Sequence, residues 1–291
     1  MDASPCRDSE PETPRAKALV EAANHQTDHV HSHMIISPAE LGSWTATAVR
    51  ELFWNGIVVL PWVWTVANAA EFRAHLQRQP CYTAHVVKHS TGKAMTWGEA
   101  REHEMICHPM RATVTAPGFM EYVLPLTAVA EKVFGEPARL FSCNSFWTRP
   151  GKDADNPHVQ EWHRDRDDRK FLALFMYGTD VRTKDDGWHE FALRTNKNND
   201  NQNRTPYPTE TIRNITGPAG TFFLADSSGL HIGRKPKHGE RLLSWARWCV
   251  SERPYSYVFD ELAPIPGSFV PCEKPNEALQ QATSLVVDWT R

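Results

Sequence analysis

Residues 217–231 of the chain read GPAGTFFLADSSGLH, a short apolar run between two groups of turn-forming residues. Gly217, Pro218 and Gly220 precede the run, and Ser227-Ser228-Gly229 follows it. An apolar run of this length with such flanks is typical of a buried β-strand and is too short for a buried helix. His231 comes directly after the second turn, so we expect it at the edge of the next strand.

Similar short runs fill the second half of the chain. Residues that favour turns, mainly Gly, Pro, Asn and Asp, separate each run from the next. The runs lie at residues 140–148, 162–165, 171–180, 189–193, 221–226 and 242–250. Many short strands with this spacing are typical of a sandwich or jelly roll. We therefore predict an α+β fold that is mainly β.

Helical signals come before these strands. The sequence Ser37-Pro38-Ala39-Glu40 has the pattern of a capping box with proline in the first turn, and Gly56 supplies a stop. Further helical stretches are expected at residues 67–79 and 124–134. Because helices precede strands along the chain, we predict that the N-terminal helices pack on one face of a sheet.

Length and composition indicate one large domain with a tail. The chain has 291 residues, of which 41% are hydrophobic, and this is enough for a sizeable core. Residues 1–36 are acidic, contain proline and lack apolar periodicity. We predict a flexible tail over 1–36 and a single domain over 37–291.

Charge and hydropathy exclude several classes of partner. A net charge of −3 gives no attraction to nucleic acid or to anionic lipid, and no apolar run is long enough to span a bilayer. The first residues lack the basic start and apolar core of a signal peptide. We expect a cytoplasmic protein with no nucleic-acid or membrane partner. Its six cysteines form no C-x-x-C pair, so they are expected to be free thiols, with Cys143 and Cys249 in the core.

The residue pair His163 and Asp165 predicts a metal site. In a strand, residues i and i+2 share one face, so both side chains can point to one ion while Arg164 faces away. A non-haem Fe(II) site uses two imidazoles and one carboxylate, and His231 can supply the second imidazole. Arg241 follows ten residues after His231 and opens the last apolar run. From there its guanidinium could bind a carboxylate through two hydrogen bonds.

Other interpretations of these residues remain open. His163 could be an ordinary buried histidine, and Asp165 could cap the charged turn that follows it. A rival pair, His238 and Arg247, has nearly the same spacing as His231 and Arg241. We prefer His231, because His238 lies in a Lys-Pro-Lys-His-Gly turn that is expected to be exposed.

Several segments resemble one known family. They are Trp162-His163-Arg164-Asp165, residues 171–181, residues 187–189 and residues 219–233, with residues 54–61 similar to an opening strand. On these segments the chain resembles the Fe(II)/2-oxoglutarate dioxygenases, and among them the phytanoyl-CoA dioxygenase-like branch. The resemblance covers most of the chain and implies a double-stranded β-helix, the cupin-like jelly roll.

The resemblance also implies roles for individual residues. His163, Asp165 and His231 would hold Fe(II), and Arg241 would bind the distal carboxylate of the co-substrate 2-oxoglutarate. Asn144 is a candidate for the C1 carboxylate of 2-oxoglutarate. With O₂, such an enzyme hydroxylates an unactivated C–H bond and releases succinate and CO₂. The carboxylate of Asp165 argues against a halogenase, in which a small residue leaves room for chloride.

Three alternatives of function stay open. Desaturation, epimerisation or cyclisation can start from the same cofactors. A jelly-roll binding protein can keep the fold without the chemistry. A zinc hydrolase could use the same ligands, although zinc would give Arg241 no evident partner.

The substrate is expected to be a small-molecule metabolite or natural-product intermediate of secondary metabolism, because no basic cluster indicates a coenzyme A or nucleotide site. We expect a monomer or homodimer. Residues 194–213 are polar and long, which fits either a substrate lid or a disordered surface insertion, and residues 150–160 could shape the entrance. Asp226 could orient a ligand histidine or simply end its strand. Candidate cavity walls are Trp62, Trp64, Trp147, Trp188, Trp245 and Trp248.

Overall fold

The structure, a computed structural model, describes residues 36–83, 94–108, 110–151, 161–197 and 209–251. The chain separates into two compact units, Met1–Ser32 and His33–Arg291, and every described residue belongs to the second. The predicted tail over 1–36 lies outside the described residues, apart from Ile36. Ile36 is 2% exposed and packs in the hydrophobic core.

The first helix begins and ends where the sequence predicts. Ser37 caps it, and Ser37 and Glu40 form both hydrogen bonds of a capping box. Gly56 ends it with a φ of 81°, a left-handed conformation that glycine adopts without strain. The helices are α1 (Pro38–Asn55), α2 (Val66–Gln77), α3 (Trp97–Ala100), α4 (Met110–Val114), α5 (Phe119–Val123) and α6 (Thr127–Phe134).

Most of the other regular elements are strands. Their bounds are β1 (Ile57–Val63), β2 (Tyr82–Thr83), β3 (Met105–His108), β4 (Arg139–Thr148), β5 (Phe171–Tyr177), β6 (His189–Ala192), β7 (Ile212–Ile215), β8 (Thr221–Ala225), β9 (His231–Gly233) and β10 (Arg241–Cys249). Within the described ranges, seven strands form a larger sheet in the order β1-β8-β5-β10-β4-β3-β2, and three form a smaller sheet in the order β7-β6-β9. All pairings between these strands are antiparallel.

The larger sheet has a core on each face, because its strands are apolar on both sides. On one face, Leu172, Leu174 and Met176 of β5 pack in the cluster that contains the helices' Leu52 and Phe72. This confirms that helices pack on one sheet face.

On the other face, the larger sheet packs against the smaller one. Ala173, Phe175 and Tyr177 of β5 lie in a cluster with Phe191 of β6 and Ile215 of β7. We call this surface of each sheet the inner face. The two-sheet arrangement fits the predicted jelly roll.

Some predicted elements differ from the structure. Residues 162–165 are not a regular strand, because only His163 forms a bridge, with His231. The strands β2, β3 and β7 were not predicted; β2 and β7 are short, and β7 begins inside the polar stretch 194–213.

Cys143 and Cys249 are buried in strands as predicted, and among the described residues the cysteines are free. No helix within the described ranges is long and apolar enough to cross a membrane.

Candidate active site

His163, Asp165 and His231 come together as the sequence predicts. One ligand atom from each lies within 4.8 Å of the others. The Asp165 carboxylate stands between the imidazoles, with Oδ1 3.8 Å from Nε2 of His163 and Oδ2 3.7 Å from Nε2 of His231. Two imidazoles and one carboxylate facing one point form the donor set that suits non-haem Fe(II).

Backbone hydrogen bonds place the two halves of this cluster side by side. The amides of His163 and His231 each donate to the other residue's carbonyl at 2.9 Å, and the amide of Asp165 donates to the Ser227 carbonyl at 2.9 Å. His163 therefore lies beside the first residue of β9, and Asp165 lies beside the turn that precedes this strand. Arg164 points away from the cluster, as predicted, and donates to the carbonyls of Thr195 at 2.7 Å and Ser228 at 2.8 Å.

Both histidine rings are oriented by carbonyl groups. Nδ1 of His163 donates to the Glu161 carbonyl at 2.7 Å, and Nδ1 of His231 donates to the Gly229 carbonyl at 2.9 Å. These bonds place the proton on Nδ1 and leave each Nε2 as a lone-pair donor. Asp226, which was expected to orient a histidine, instead accepts hydrogen bonds from Ser228 and Asn196. Of the two roles predicted for Asp226, the structure has the one at the end of its strand, because Asp226 follows β8 and closes the turn before His231.

The electrostatics favour a cation in this cluster. Burial and the neighbouring His163 lower the pKa of His231 to about 4, so its ring is neutral at neutral pH. Burial opposes ionisation of Asp165, but Arg247, His231, His163 and Ser227 together hold its pKa below the usual value. A neutral His231 imidazole beside an ionised carboxylate matches the protonation states that a metal ion requires.

Arg241 is buried at the start of β10, on the inner face. Its Nη1 donates to the carbonyls of Gly187 and Arg234, the second at 2.9 Å. Its Nη2 lies 3.4 Å from the position that a Cβ on Gly233 would occupy. Gly233 is two residues beyond His231 on β9, so the guanidinium lies beside the strand that carries a metal ligand.

The rival pair, His238 and Arg247, does not form a site. His238 is exposed. Nη1 of Arg247 donates to Asp167 at 2.7 Å, and its Nη2 lies 3.9 Å from Oδ2 of Asp165. Arg247 is thus engaged with carboxylates next to the metal cluster, a role that the sequence analysis missed because the pairing of β10 with the loop after Asp165 is not local.

Asn144 faces the same side as these residues. It lies opposite Trp245 in the pairing of β4 with β10, and directly opposed residues share one face of a sheet. Asn144 is 3% exposed and accepts a hydrogen bond from Ser142 at 2.9 Å. Its predicted role toward the C1 carboxylate of 2-oxoglutarate stays a prediction.

His189 is a site residue that the sequence analysis included only within the segment 187–189 of the family resemblance. Its ring lies 5.3 Å from the ring of His231 at an interplanar angle of 18°. Burial keeps the pKa of His189 well below its ordinary value, and the neighbouring guanidinium of Arg241 acts in the same direction. Its position two residues before Phe191 places both on one strand face, but only the pairing of β6 with β9 reveals that this face meets the metal cluster.

Unpaired polar atoms gather on the inner face. Among the described residues, both ring nitrogens of His189, Nε of Arg241 and Nε1 of Trp245 are buried without a hydrogen-bond partner. Buried polar atoms are rarely left unpaired, so these atoms fit a polar ligand bound beside the metal cluster. The chain's residues therefore fit both Fe(II) and an anionic co-substrate.

The tryptophans divide between the two cores. Trp188 and Trp245 pack on the inner face, whereas Trp62, Trp64, Trp147 and Trp248 pack on the helix side. The prediction of cavity walls is wrong for the last four, because their side chains belong to the helix-side core. The predicted lid and entrance segments include residues 198–208 and 152–160, which lie outside the described residues.

Comparison with known proteins supports the fold. No protein-family model matches the chain, and no curated protein matches it by sequence. HygX from Streptomyces hygroscopicus, crystallised with nickel, 2-oxoglutarate and hygromycin B, matches in structure with a TM-score of 0.52. The sequence identity is 15%, over 71% of this chain and 87% of HygX.

A second structural match is the epimerase SnoN from nogalamycin biosynthesis, a non-haem α-ketoglutarate-dependent enzyme. Its TM-score is 0.52 at 17% identity, over 79% of this chain and 90% of SnoN. SnoN in complex with Fe³⁺, α-ketoglutarate and nogalamycin RO also matches with a TM-score of 0.52, at 16% identity over 79% of this chain and 93% of SnoN. The chain thus shares the fold of HygX and SnoN.

Proposed function

We propose that this protein is an Fe(II)- and 2-oxoglutarate-dependent oxygenase that acts on a small molecule. The observation that carries the proposal is the convergence of His163, Asp165 and His231, whose ligand atoms lie within 4.8 Å of one another. The buried guanidinium of Arg241 beside the same strand supports 2-oxoglutarate as the co-substrate. Similarity in fold to HygX and SnoN supports the same cofactor chemistry.

The residues have separate tasks in this proposal. His163, Asp165 and His231 would hold the metal through three positions and leave the others for co-substrate and O₂. Arg241 would bind the distal carboxylate of 2-oxoglutarate, where a charge pair is strong because the pocket is buried. Bound Fe(II), 2-oxoglutarate and O₂ supply the oxidation, which releases succinate and CO₂. The protein's part is to position the substrate and exclude water.

Hydroxylation of a C–H bond is the outcome we propose first. It requires only that the target carbon is held near the metal, and Asp165 occupies the position that a halogenase leaves open for chloride. Epimerisation and cyclisation use the same cofactors, and SnoN is an epimerase. Desaturation is a further variant, so product analysis decides among these outcomes.

A natural-product intermediate is the substrate class that we propose. HygX was crystallised with hygromycin B and SnoN with nogalamycin RO, both small molecules. Assignment to the phytanoyl-CoA dioxygenase-like branch, the lid over 194–213 and a monomeric or dimeric state remain proposals from the sequence.

Anaerobic titration tests the proposal. Addition of Fe(II) and then 2-oxoglutarate to the metal-free protein should produce the weak visible charge-transfer band of the chelate. Replacement of Asp165 or His231 by Ala should abolish the band, because two ligands hold the ion poorly. His238→Ala is the matched control, since His238 is exposed and belongs to the rival pair. Absence of the band in the unaltered protein would favour a non-enzymatic jelly roll.

A further inference from the structure

His189 is a buried polar side chain that the proposed function leaves unexplained. It is 3% exposed, and neither ring nitrogen has a hydrogen-bond partner among the described residues. An imidazole carries at least one N–H group in every protonation state that proteins adopt. A buried donor without an acceptor is unfavourable, so the unpaired ring of His189 fits a polar ligand bound beside it.

The position of His189 relates it to the metal cluster. In the pairing of β6 with β9, Phe191 lies opposite His231 and His189 lies opposite Gly233. These four positions share the inner face, because residues two apart on a strand point the same way. The His189 ring accordingly lies nearly parallel to the ring of His231, with 5.3 Å between ring centroids.

The strand pairing of His189 also places it near Arg241. Gly233 is the strand partner of His189, and Nη2 of Arg241 lies 3.4 Å from where a Gly233 Cβ would be. Along β9, the metal ligand is therefore at one end and the guanidinium at the other. His189 faces this short stretch from the neighbouring strand. A molecule that spans from the metal cluster to Arg241 would pass His189.

The remaining surroundings of His189 are aromatic. The rings of Phe175 and Phe223 on the larger sheet each lie 5.2 Å from its ring, between centroids. These walls offer no hydrogen bond that competes for the His189 nitrogens, and they exclude water. A hydrogen bond to a carboxylate is strengthened in such an environment.

We propose that His189 donates a hydrogen bond to the distal carboxylate of 2-oxoglutarate, alongside Arg241, and so favours a dicarboxylic 2-oxo acid over shorter metal chelators. This inference rests on the proposed function, because it requires 2-oxoglutarate to bridge the metal and Arg241. It adds a second group that contacts the co-substrate and explains why an unpaired imidazole is kept between two phenylalanines.

Calorimetric titration of the Ni(II)-loaded protein with 2-oxoglutarate and with oxalate tests the inference. Oxalate chelates a metal but has no distal carboxylate. His189→Phe keeps an aromatic ring and removes the donor, so the Kd for 2-oxoglutarate should rise about tenfold or more, as expected for a hydrogen bond to a charged group. The Kd for oxalate should stay within about twofold, the size of effect expected where no contact is lost.

Two further variants separate hydrogen bonding from packing. His189→Gln retains an N–H donor and should recover part of the affinity for 2-oxoglutarate. Phe191→Leu alters the same strand face, near His231, without removing a donor, and should change the two Kd values by similar small factors. The melting temperature of each variant, measured without ligand, shows whether it is folded.

The outcomes distinguish this inference from the function on which it rests. An unchanged Kd for 2-oxoglutarate in folded His189→Phe would overturn the inference and leave the proposed function standing. Equal weakening of 2-oxoglutarate and oxalate would also overturn it, since His189 would then act only by supporting the metal end. If the unaltered Ni(II)-loaded protein binds neither acid, the proposed function fails, and the inference fails with it.

Discussion

The guanidinium of Arg241 is held by the backbone at one nitrogen and has a buried, unpaired nitrogen elsewhere. Its Nη1 is held by two backbone carbonyls, those of Gly187 and Arg234, while its Nε has no partner among the described residues. One side of the guanidinium is thus fixed by the protein and the other is left for an acceptor. A planar group with five donors can do both, whereas an ammonium presents a single nitrogen.

The variant Arg241→Lys should therefore lose affinity for 2-oxoglutarate while keeping the positive charge. We expect the Kd of the Ni(II)-loaded protein for 2-oxoglutarate to rise by a factor of about 10 to 100, because two-pronged hydrogen bonding is lost. Calorimetric titration measures the change. Arg182→Lys is the control, since the Arg182 side chain is 65% exposed and pairs with Asp180. Equal affinity in both variants would contradict a role for Arg241 in binding.

At the scale of elements, the turn into β8 depends on one glycine. Gly220 has a φ of 93°, and a Cβ there would lie 2.7 Å from Cβ and 2.8 Å from the carbonyl oxygen of Trp64. A side chain at position 220 would both strain its own backbone and collide with Trp64, and no side-chain rotation would relieve either problem. The turn therefore fixes where β8 begins against β1.

Gly220→Ala should lower the free energy of unfolding by about 1–3 kcal/mol or more, from strain and close contact. Gly42→Ala is the matched control, because Gly42 lies within α1 and a Cβ there meets nothing within 4 Å. That substitution should raise the free energy of unfolding by about 0.5–1 kcal/mol through helix propensity. Urea unfolding should give a lower free energy of unfolding for Gly220→Ala and a higher one for Gly42→Ala. A Gly220→Ala variant as stable as the unaltered protein would refute this account of the turn.

His108 joins two strands of the larger sheet to a preceding loop. Its Nε2 accepts a hydrogen bond from Nε1 of Trp147 at 3.1 Å, and its Nδ1 donates to the Pro80 carbonyl at 3.2 Å. Burial lowers the pKa of His108 to about 4. An unfolded histidine has a pKa near 6.5. The neutral ring therefore stabilises the fold above about pH 6.5, and this contribution is lost as the pH falls toward 4, because the unfolded chain takes up the proton first.

His108→Leu should destabilise the protein at pH 8 by about 1–3 kcal/mol, since the buried Trp147 N–H loses its acceptor. The difference in unfolding free energy between the variant and the unaltered protein should shrink from pH 8 to pH 4.5, because the variant lacks the titrating ring. Urea unfolding at both pH values measures this. His238→Ala, at an exposed position, should show little difference at either pH. If the difference in unfolding free energy between His108→Leu and the unaltered protein grew as the pH fell, the predicted direction of the His108 effect would be wrong.

At the scale of the whole molecule, the cluster of His163, Asp165 and His231 joins β9 of the smaller sheet to the loop that carries His163 and Asp165. The histidine ligands come from distant segments joined by a single backbone bridge. A ligand that contacts both segments at once binds the folded protein but not the unfolded chain, and so raises the free energy of unfolding.

We expect Ni(II) and 2-oxoglutarate together to raise the melting temperature by roughly 5–10 °C. A ligand at about 100 times its Kd contributes about 2.7 kcal/mol, and a chain of this size gains about 2–4 °C per kcal/mol. Neither 2-oxoglutarate alone nor the metal with Asp165→Ala should give the full shift. Differential scanning fluorimetry measures it, and an equal shift in Asp165→Ala would show that the ligands bind elsewhere.

Local patterns were enough to predict many elements and the three residues, His163, Asp165 and His231, whose side chains come together. The capping box at Ser37, the stop at Gly56 and the apolar runs of β5, β8 and β10 depend on neighbours along the chain, and the structure has them within a few residues. The side chains of His163 and Asp165 still point to one place, although residues 162–165 form only a bridge. The reason is that the backbone amides of both residues are hydrogen-bonded to the segment before and at His231, as alternate residues of a strand would be.

The sequence by itself determined the kinds of element, their order and the residue types that can hold a metal, since these follow from short-range periodicity and side-chain chemistry. Only the tertiary structure decided that His189 faces His231, that Arg247 contacts Asp167 rather than a co-substrate, and that four of six candidate tryptophans lie on the helix side. Those outcomes depend on strand register and on which sheet face meets which core. Neither is encoded within a single segment, because pairing partners lie far apart along the chain.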